Sequence, residues 1–596
     1  MDPKTIYLKR LDDLKTQQKK LLKLKSVFGV IRFGSIAALI AAFYFLWSFG
    51  MIWVCTAGIL LLFIFIQLVY KDLANKAAIK HLGHLIAINE AEVNAIDGDY
   101  FQFGDGAAYL PKEHFYASDI DIFGQASLFQ FVNRTTSDMG AAQLANWLLN
   151  PAKPEDIIER QAAIREIKDK MLWCQEIQAF GKEKNIQLST YERLMAWLHE
   201  PTLFLQFRHW QWLRYLLPAI ILLVVSSAIA EWIPMNIMYL FLLLYAVLAF
   251  QINKYIAPVH EKLSKMVDEM DALSISVAAI EKEKFVSPLS IKLQQNFMQG
   301  SETASLKIKK LKKILDKLDI RYNIVLSAPL NLLLLWNLQH VIELEKWKKQ
   351  HVGDVDSWFH TLGIFETLIS FAVMHFNNPG WCFPILHDKH FFMESTELGH
   401  PLINEIKRVN NFIQIENRGE LMLVTGSNMA GKSTYLRSVG INIVLAMTGA
   451  PVCAASLRLS PVQLISSMRI ADNLAESTST FYAELKKLKT VIDEVNQGKK
   501  VFILLDEILR GTNSLDRHTG SVALIKQLIK HEAAGIIATH DLALAEIKNE
   551  FPTNILNYHF DVQVNKDELF FDYKLKPGVC TSLNASILMK KIGIEL

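Results

Sequence analysis

The stretch Gly426-Ser427-Asn428-Met429-Ala430-Gly431-Lys432-Ser433 sets two glycines around a short polar loop and follows them with an ammonium and a hydroxyl. That spacing fits G-x-x-x-x-G-K-[ST], the pattern of a loop that cradles phosphate. Glycines let the backbone curl so that successive N–H groups point at one anion, and a helix opening at Lys432 adds its positive dipole end. Lys432 can reach β- and γ-phosphate oxygens, and the Ser433 hydroxyl, with Thr434 beside it, can serve a nucleotide and its Mg²⁺. The run Val501-Phe-Ile-Leu-Leu-Asp506-Glu507 supplies the partner chemistry. Asp506 can hold Mg²⁺, directly or through water, and Glu507 can orient or deprotonate an attacking water. His540 ends the run Gly535-Ile-Ile-Ala-Thr-His540, where it can sense a phosphate or hold the same water.

These residues need a parallel α/β sheet to bring them together. From about residue 386, short β-rich apolar runs alternate with helical segments. Strands are expected at 420–425, 501–505 and 534–539, and helices at 432–447, 481–495 and 516–531. Ligands of such sheets bind in the crevice at the carboxyl ends of the strands. Before the second helix runs Ala471-Asp-Asn-Leu-Ala-Glu-Ser477-Thr-Ser479-Thr-Phe481-Tyr-Ala-Glu-Leu485. Ser477 or Ser479 can cap that helix, and a serine at an exposed helix start can also meet a phosphate.

The rest of the chain is of a different kind. Of 596 residues, 51% are apolar, and the net charge of +3 does not by itself indicate nucleic acid. Five scattered cysteines form no C-x-x-C pair, which fits a reducing cytoplasm. Residues 1–27 hold a basic helix, capped by Asp2, in which Leu8, Leu11, Leu14, Leu21 and Leu22 form a stripe among lysines. Either it touches anionic lipid heads or it is simply solvated. Residues 28–72 contain two apolar segments, 30–48 and 51–70, charged only at Arg32 near their start. Each is close to the ~20 residues that cross a hydrocarbon core. A second such hairpin occupies 213–254. Lysines and arginines flank both hairpins on the outside and are missing from both inner loops. The positive-inside rule therefore predicts a four-span integral membrane protein with both termini cytoplasmic; a bacterial inner membrane is its expected location. A shorter apolar run at 324–338, holding Asn331 and Asn337, is expected to be a buried core helix. The lysines between Lys307 and Lys317 read as the wet face of an amphipathic helix.

The motif residues resemble the MutS family of DNA mismatch-repair ATPases. The resemblance rests on TGSNMAGKSTYLRSVG, LLDEILRGTNSLD, ATHDLALAE and the signature-like ESTSTFYAEL, with weaker similarity at 128–167 and at Gly399-His-Pro-Leu-Ile403. It implies a multidomain α plus α/β architecture with a helical core or lever (73–212 and 255–385) and a C-terminal ABC-type phosphate-loop ATPase domain (386–596), to which the apolar runs add the transmembrane hairpins as a departure from the family. It implies ATP and Mg²⁺ as cofactors and a homodimer with composite sites. By position, Ser479 would reach the other subunit's γ-phosphate with Phe481 behind it. Asn428 matches the family's loop asparagine, Glu507 its catalytic acid and His540 its histidine, while Phe412 is the candidate for stacking on adenine. Ser427, Ala430 and Leu509 stand where the family usually has Pro, Gly and Gly, and Leu509 is the one expected to affect hydrolysis. The family's Phe-x-Glu mismatch reader has no match in the first 120 residues, which puts mismatch specificity in doubt. DNA, membrane lipids and a protein remain the partners to weigh. The alternative function is a membrane-tethered mechanochemical ATPase without DNA.

Overall fold

The structure is a computed structural model that describes residues 2–264, 266–427, 430–468, 480–565 and 568–580. Two helices open it, Pro3–Leu46 and Met51–Ile96, packed against each other as one long antiparallel hairpin. Asp2 caps the first helix by accepting from the Thr5 N–H, and Pro3 sits in its first turn. The basic segment is therefore not a separate helix, since it runs without a break into the apolar one. Its stripe faces protein: Leu11 and Leu14 are buried on Leu85, Ile86, Ile88 and Ala179, while Leu8 and Leu22 point outward. Arg32 pairs with Asp72 of the second helix at 2.5 Å.

The hairpin's basic end is tied to the core by buried polar groups. The Arg134 guanidinium donates to Glu92 at 2.5 Å, and Asn377 donates to the same carboxylate at 2.8 Å. Tyr7 donates to Asn377 at 2.9 Å. Asn377 ends the central helix Val355–Asn377, which is buried along nearly its whole length against Asp138–Leu149 and Pro154–Lys168. Glu366 of that helix accepts from Thr136 and Ser137, and Gly140 leaves room for its carboxylate.

The second hairpin is His209–Ile229 and Met235–Ser264. Five described helices are long and apolar enough to cross a membrane by length and composition. Four are those of the two hairpins, whose most apolar stretches are 0%, 0%, 22% and 17% buried. The fifth, Val355–Asn377, is 83% buried and belongs to the core.

The run at 324–338 departs from expectation. Ile324–Leu334 is a helix, but its described side chains are exposed or half-buried up to Leu334. It breaks at Leu335, which adopts φ +48°, and Trp336–His351 leaves at 78°. Only the end of the run is buried, at Leu335, Asn337 and Leu338, because a short apolar helix can lie against a neighbouring apolar surface without entering a core. The lysines at 307–317 are partly committed to ion pairs: Lys307 with Asp354 at 3.1 Å, Lys310 with Glu302 at 2.6 Å and Lys312 with Asp271 at 2.9 Å.

The C-terminal part is a six-stranded sheet in the order Glu568–Pro577, Ile555–Asn565, Leu421–Thr425, Ala534–Thr539, Val501–Asp506, Gln463–Ser467. All neighbours are parallel except the first pair. Strands 421–425, 501–506 and 534–539 are buried at every position, as continuous apolar runs in a doubly covered sheet should be. Helices Lys432–Thr448, Thr480–Asn496 and Ser514–Lys530 fall where the sequence places them. A smaller four-stranded sheet, which includes Met393–Leu398 and Asn411–Ile415, adjoins it.

Candidate functional site

Strand register assembles the site. Thr425 pairs with Thr539, and Asp506 pairs with Ala538, so three strands end at nearly one level. The residues that follow are Gly426, Glu507 and His540. The loop after Thr425 turns through Gly426 and Gly431, both at positive φ, into the helix that begins at Lys432. At Gly426 a Cβ would lie 2.8 Å from the Phe560 carbonyl oxygen, so this corner admits no side chain.

The buried Lys432 ammonium donates to the carbonyl oxygens of Gly426 (2.8 Å) and Ser427 (3.0 Å) and lies 3.2 Å from His540 Nε2. Burial lowers its pKa from the ordinary value, against the opposing pull of Asp506 and Glu507. The Ser433 hydroxyl donates to Asp506 Oδ2 at 2.5 Å. Among the described residues, the buried Asp506 Oδ1 has no hydrogen-bond partner. A hydroxyl and a carboxylate with a spare oxygen are the hard donor set that Mg²⁺ takes. Thr434 is exposed in the first helical turn.

Glu507 accepts from or pairs with His540 Nε2 at 2.6 Å and meets Arg510 Nε at 2.9 Å. The His540 contact, helped by Arg510 and opposed by burial, lowers the Glu507 carboxyl pKa from its ordinary value. One imidazole nitrogen thus faces both the ammonium and the carboxylate. As N–H it donates to Glu507, and as a bare nitrogen it accepts from Lys432. The acid loop is held in an unusual backbone shape, with φ +47° at Glu507 and +59° at Leu509. The side chain of Glu484, on helix Thr480–Asn496, accepts the Leu509 N–H. Phe481 packs so closely on Gly511 that a Cβ there would sit 2.6 Å from its own Cβ. Beside Glu507 opens a cleft of ≈ 580 Å³ lined in part by Arg510, Arg517, His518 and Asp541.

Phe412 is half-buried, edge-on to Tyr558 at 5.6 Å, and its carbonyl accepts from Tyr435 at 2.9 Å. A different ring lies against the glycine loop: Tyr573 Cδ1 is 3.1 Å from where a Gly431 Cβ would be. No sequence pattern marks Tyr573, because it comes from an edge hairpin whose register shifts between Phe571 and Leu575. Glu484 was also missed, although it lies within the signature-like stretch. Asn428, Ser477 and Ser479 lie outside the described residues.

Strand order, glycine-turned loop and acid strand define a C-terminal α/β sheet domain. Residues 422–590 match the family description MutS domain V. The chain is 30% identical over 250 residues to the DNA mismatch repair protein MutS of Persephonella marina, covering 41% of this chain and 27% of that protein. It is 34% identical over 203 residues to the DNA mismatch repair protein MutS of Aquifex pyrophilus (33% and 23%) and 31% identical over 205 residues to human MutS protein homolog 4 (33% and 22%). It thus spans about a quarter of the length of these relatives.

Proposed function

We propose that this protein is a membrane-anchored ATPase that binds ATP with Mg²⁺ and hydrolyses it in composite sites of a homodimer, in a role linked to binding or repair of mismatched or damaged DNA. The observation that carries the reading is the levelled strand ends, which put Lys432, Ser433, Asp506, Glu507 and His540 around one crevice. Mg²⁺, when held by Ser433 and Asp506, would neutralise phosphate charge. Lys432 exchanges its loop carbonyls for phosphate oxygens. Glu507, kept ionised by His540 and Arg510, orients water and takes its proton. Ser479 of the other subunit completes the site. The apolar hairpins sit in a bilayer, with the sheet on its cytoplasmic side.

Full-length protein in detergent, titrated with Mg-ATP by calorimetry and followed for phosphate release, tests the reading. An ATP affinity at least about tenfold weaker in Lys432→Ala, with turnover lost, supports it. Equal heat in both proteins refutes it.

A second reading is a mechanochemical ATPase that acts on a protein or membrane partner without DNA. It is favoured by the largely buried Tyr7–Asn377–Glu92–Arg134 chain, which ties the first hairpin to the core helix and would pass movement to the bilayer. Binding to homoduplex, mismatched and branched DNA across a salt series separates the two, since phosphate contacts must show as a salt slope.

A further inference from the structure

We infer that Ile324–Leu334 is a third membrane element, a short helix seated in the cytoplasmic leaflet against the second hairpin without crossing the bilayer. The inference rests on the membrane reading above.

Length comes first. Eleven residues at ~1.5 Å rise give about 17 Å, roughly half of a ~30 Å hydrocarbon core. The helix cannot span. Its composition still suits lipid, for no charged residue occurs from 324 to 338 except in the flanks, where Arg321 precedes and Glu343 follows. Val325 is 76% exposed and Leu326 51%. Leaving such side chains in water is unfavourable relative to burying them against apolar surface. The same helix packs on both helices of the second hairpin, so its apolar surface continues theirs.

The junction fixes its depth. The Asn337 side chain donates to Asn253 Oδ1 at 2.8 Å, and Gln339 donates to the Arg214 carbonyl. Arg214 lies in the second turn of one hairpin helix, ahead of its apolar part, and Asn253 follows the apolar part of the other. Both lie at the Lys/Arg-flanked, cytoplasmic ends of those spans. Backbone irregularity at such a place must be satisfied by protein, because lipid offers no hydrogen bonds. It is: Asn331 Oδ1 accepts the Asn337 N–H at 3.0 Å across the Leu335 break, Asn323 caps the other end, and Trp336 donates to the Lys317 carbonyl at 2.8 Å. The left-handed Leu335 turns the chain by 78° out of the leaflet and into Trp336–His351, which packs on Ala304–Asp319. The element therefore joins lipid to the helical core at a second point, far along the chain from the first hairpin.

Spin-label accessibility in the full-length protein reconstituted in phosphatidylcholine–phosphatidylglycerol vesicles tests this. With Cys55 and Cys382 replaced by Ala, single cysteines go in by Val325→Cys, by Leu223→Cys in the second hairpin and by Ile406→Cys in the 94% exposed aqueous reference position. The expected result is a nitroxide at 325 that relaxes with oxygen like 223, resists a water-soluble nickel chelate severalfold more than 406, and reads shallower than 223. Nickel access at 325 like that at 406, with 223 still in lipid, overturns this inference and leaves the membrane reading intact. A nitroxide at 325 shielded from both reagents also overturns it, because a protein surface would then cover the helix. Nickel access at both 325 and 223 overturns the membrane reading and this inference together.

Discussion

The sheet of the C-terminal domain and the second hairpin are both built from long apolar runs, yet they use them in opposite ways. Ile503, in the middle of the acid strand, has no exposed surface, and Leu223, in the middle of a hairpin helix, is 66% exposed. In the sheet, apolar side chains hide to make a rigid floor under five polar groups. In the hairpin they are displayed, and what stabilises them must come from outside the chain. Composition alone is therefore a poor guide to role, whereas the pairing of an apolar run with its neighbours is a good one.

The largest expected effect is a reversal between the two regions. Ile503→Asp should cost more than about 4 kcal/mol, since it buries an unpaired charge, and should leave the C-terminal domain open to limited proteolysis. Leu223→Asp should shift the stability of the C-terminal domain by less than ~0.5 kcal/mol, while weakening recovery in the membrane fraction. Equal destabilisation in detergent by both would erase the contrast.

Within the sheet region, function should fail without the fold failing. Glu507→Gln should slow hydrolysis roughly 10²–10⁴-fold while ATP still binds, read by single-turnover phosphate release beside calorimetry. Turnover at the parental rate would remove Glu507 as the base. Lys432→Ala should weaken ATP binding by roughly 10–100-fold, the value of one or two hydrogen bonds to a charged group. Neither change should alter extraction from membranes.

The site was legible because its chemistry is local in sequence. The glycine-rich loop, the acid pair and the strand-end histidine each lie within a few residues, and parallel register brings them together. The hairpins were legible for a similar reason, as uninterrupted apolar runs. What the residues did not reveal depends on partners distant in sequence. Leu11 and Leu14 face Leu85 and Ile88 rather than lipid or water, and nothing near them says so. The burial of Val355–Asn377 and the exposure of Val325 invert what run length suggests, since neighbours, not hydropathy, decide. Tyr573 reaches the loop through an edge hairpin with shifted register. Leu509 was singled out for replacing a glycine, and its φ of +59° gives that substitution a physical meaning.

The smallest effect is also the sharpest contrast. A left-handed non-glycine residue costs roughly 1–2 kcal/mol, and here Glu484 and close packing hold it in place. Leu509→Ala keeps that cost and loses the buried side chain. Leu509→Gly loses the same side chain but sheds the strain. Glycine should therefore destabilise less than alanine at 509, by about 1 kcal/mol. At Leu223 the order should be the usual one, with glycine worse than alanine by about 1 kcal/mol in a right-handed helix. Chemical denaturation of the four variants, followed in the C-terminal domain for 509 and by helical signal in detergent for 223, reads both differences. Alanine proving better at both positions would mean that the acid loop does not keep its left-handed turn, and Glu484 would then have no backbone strain to hold.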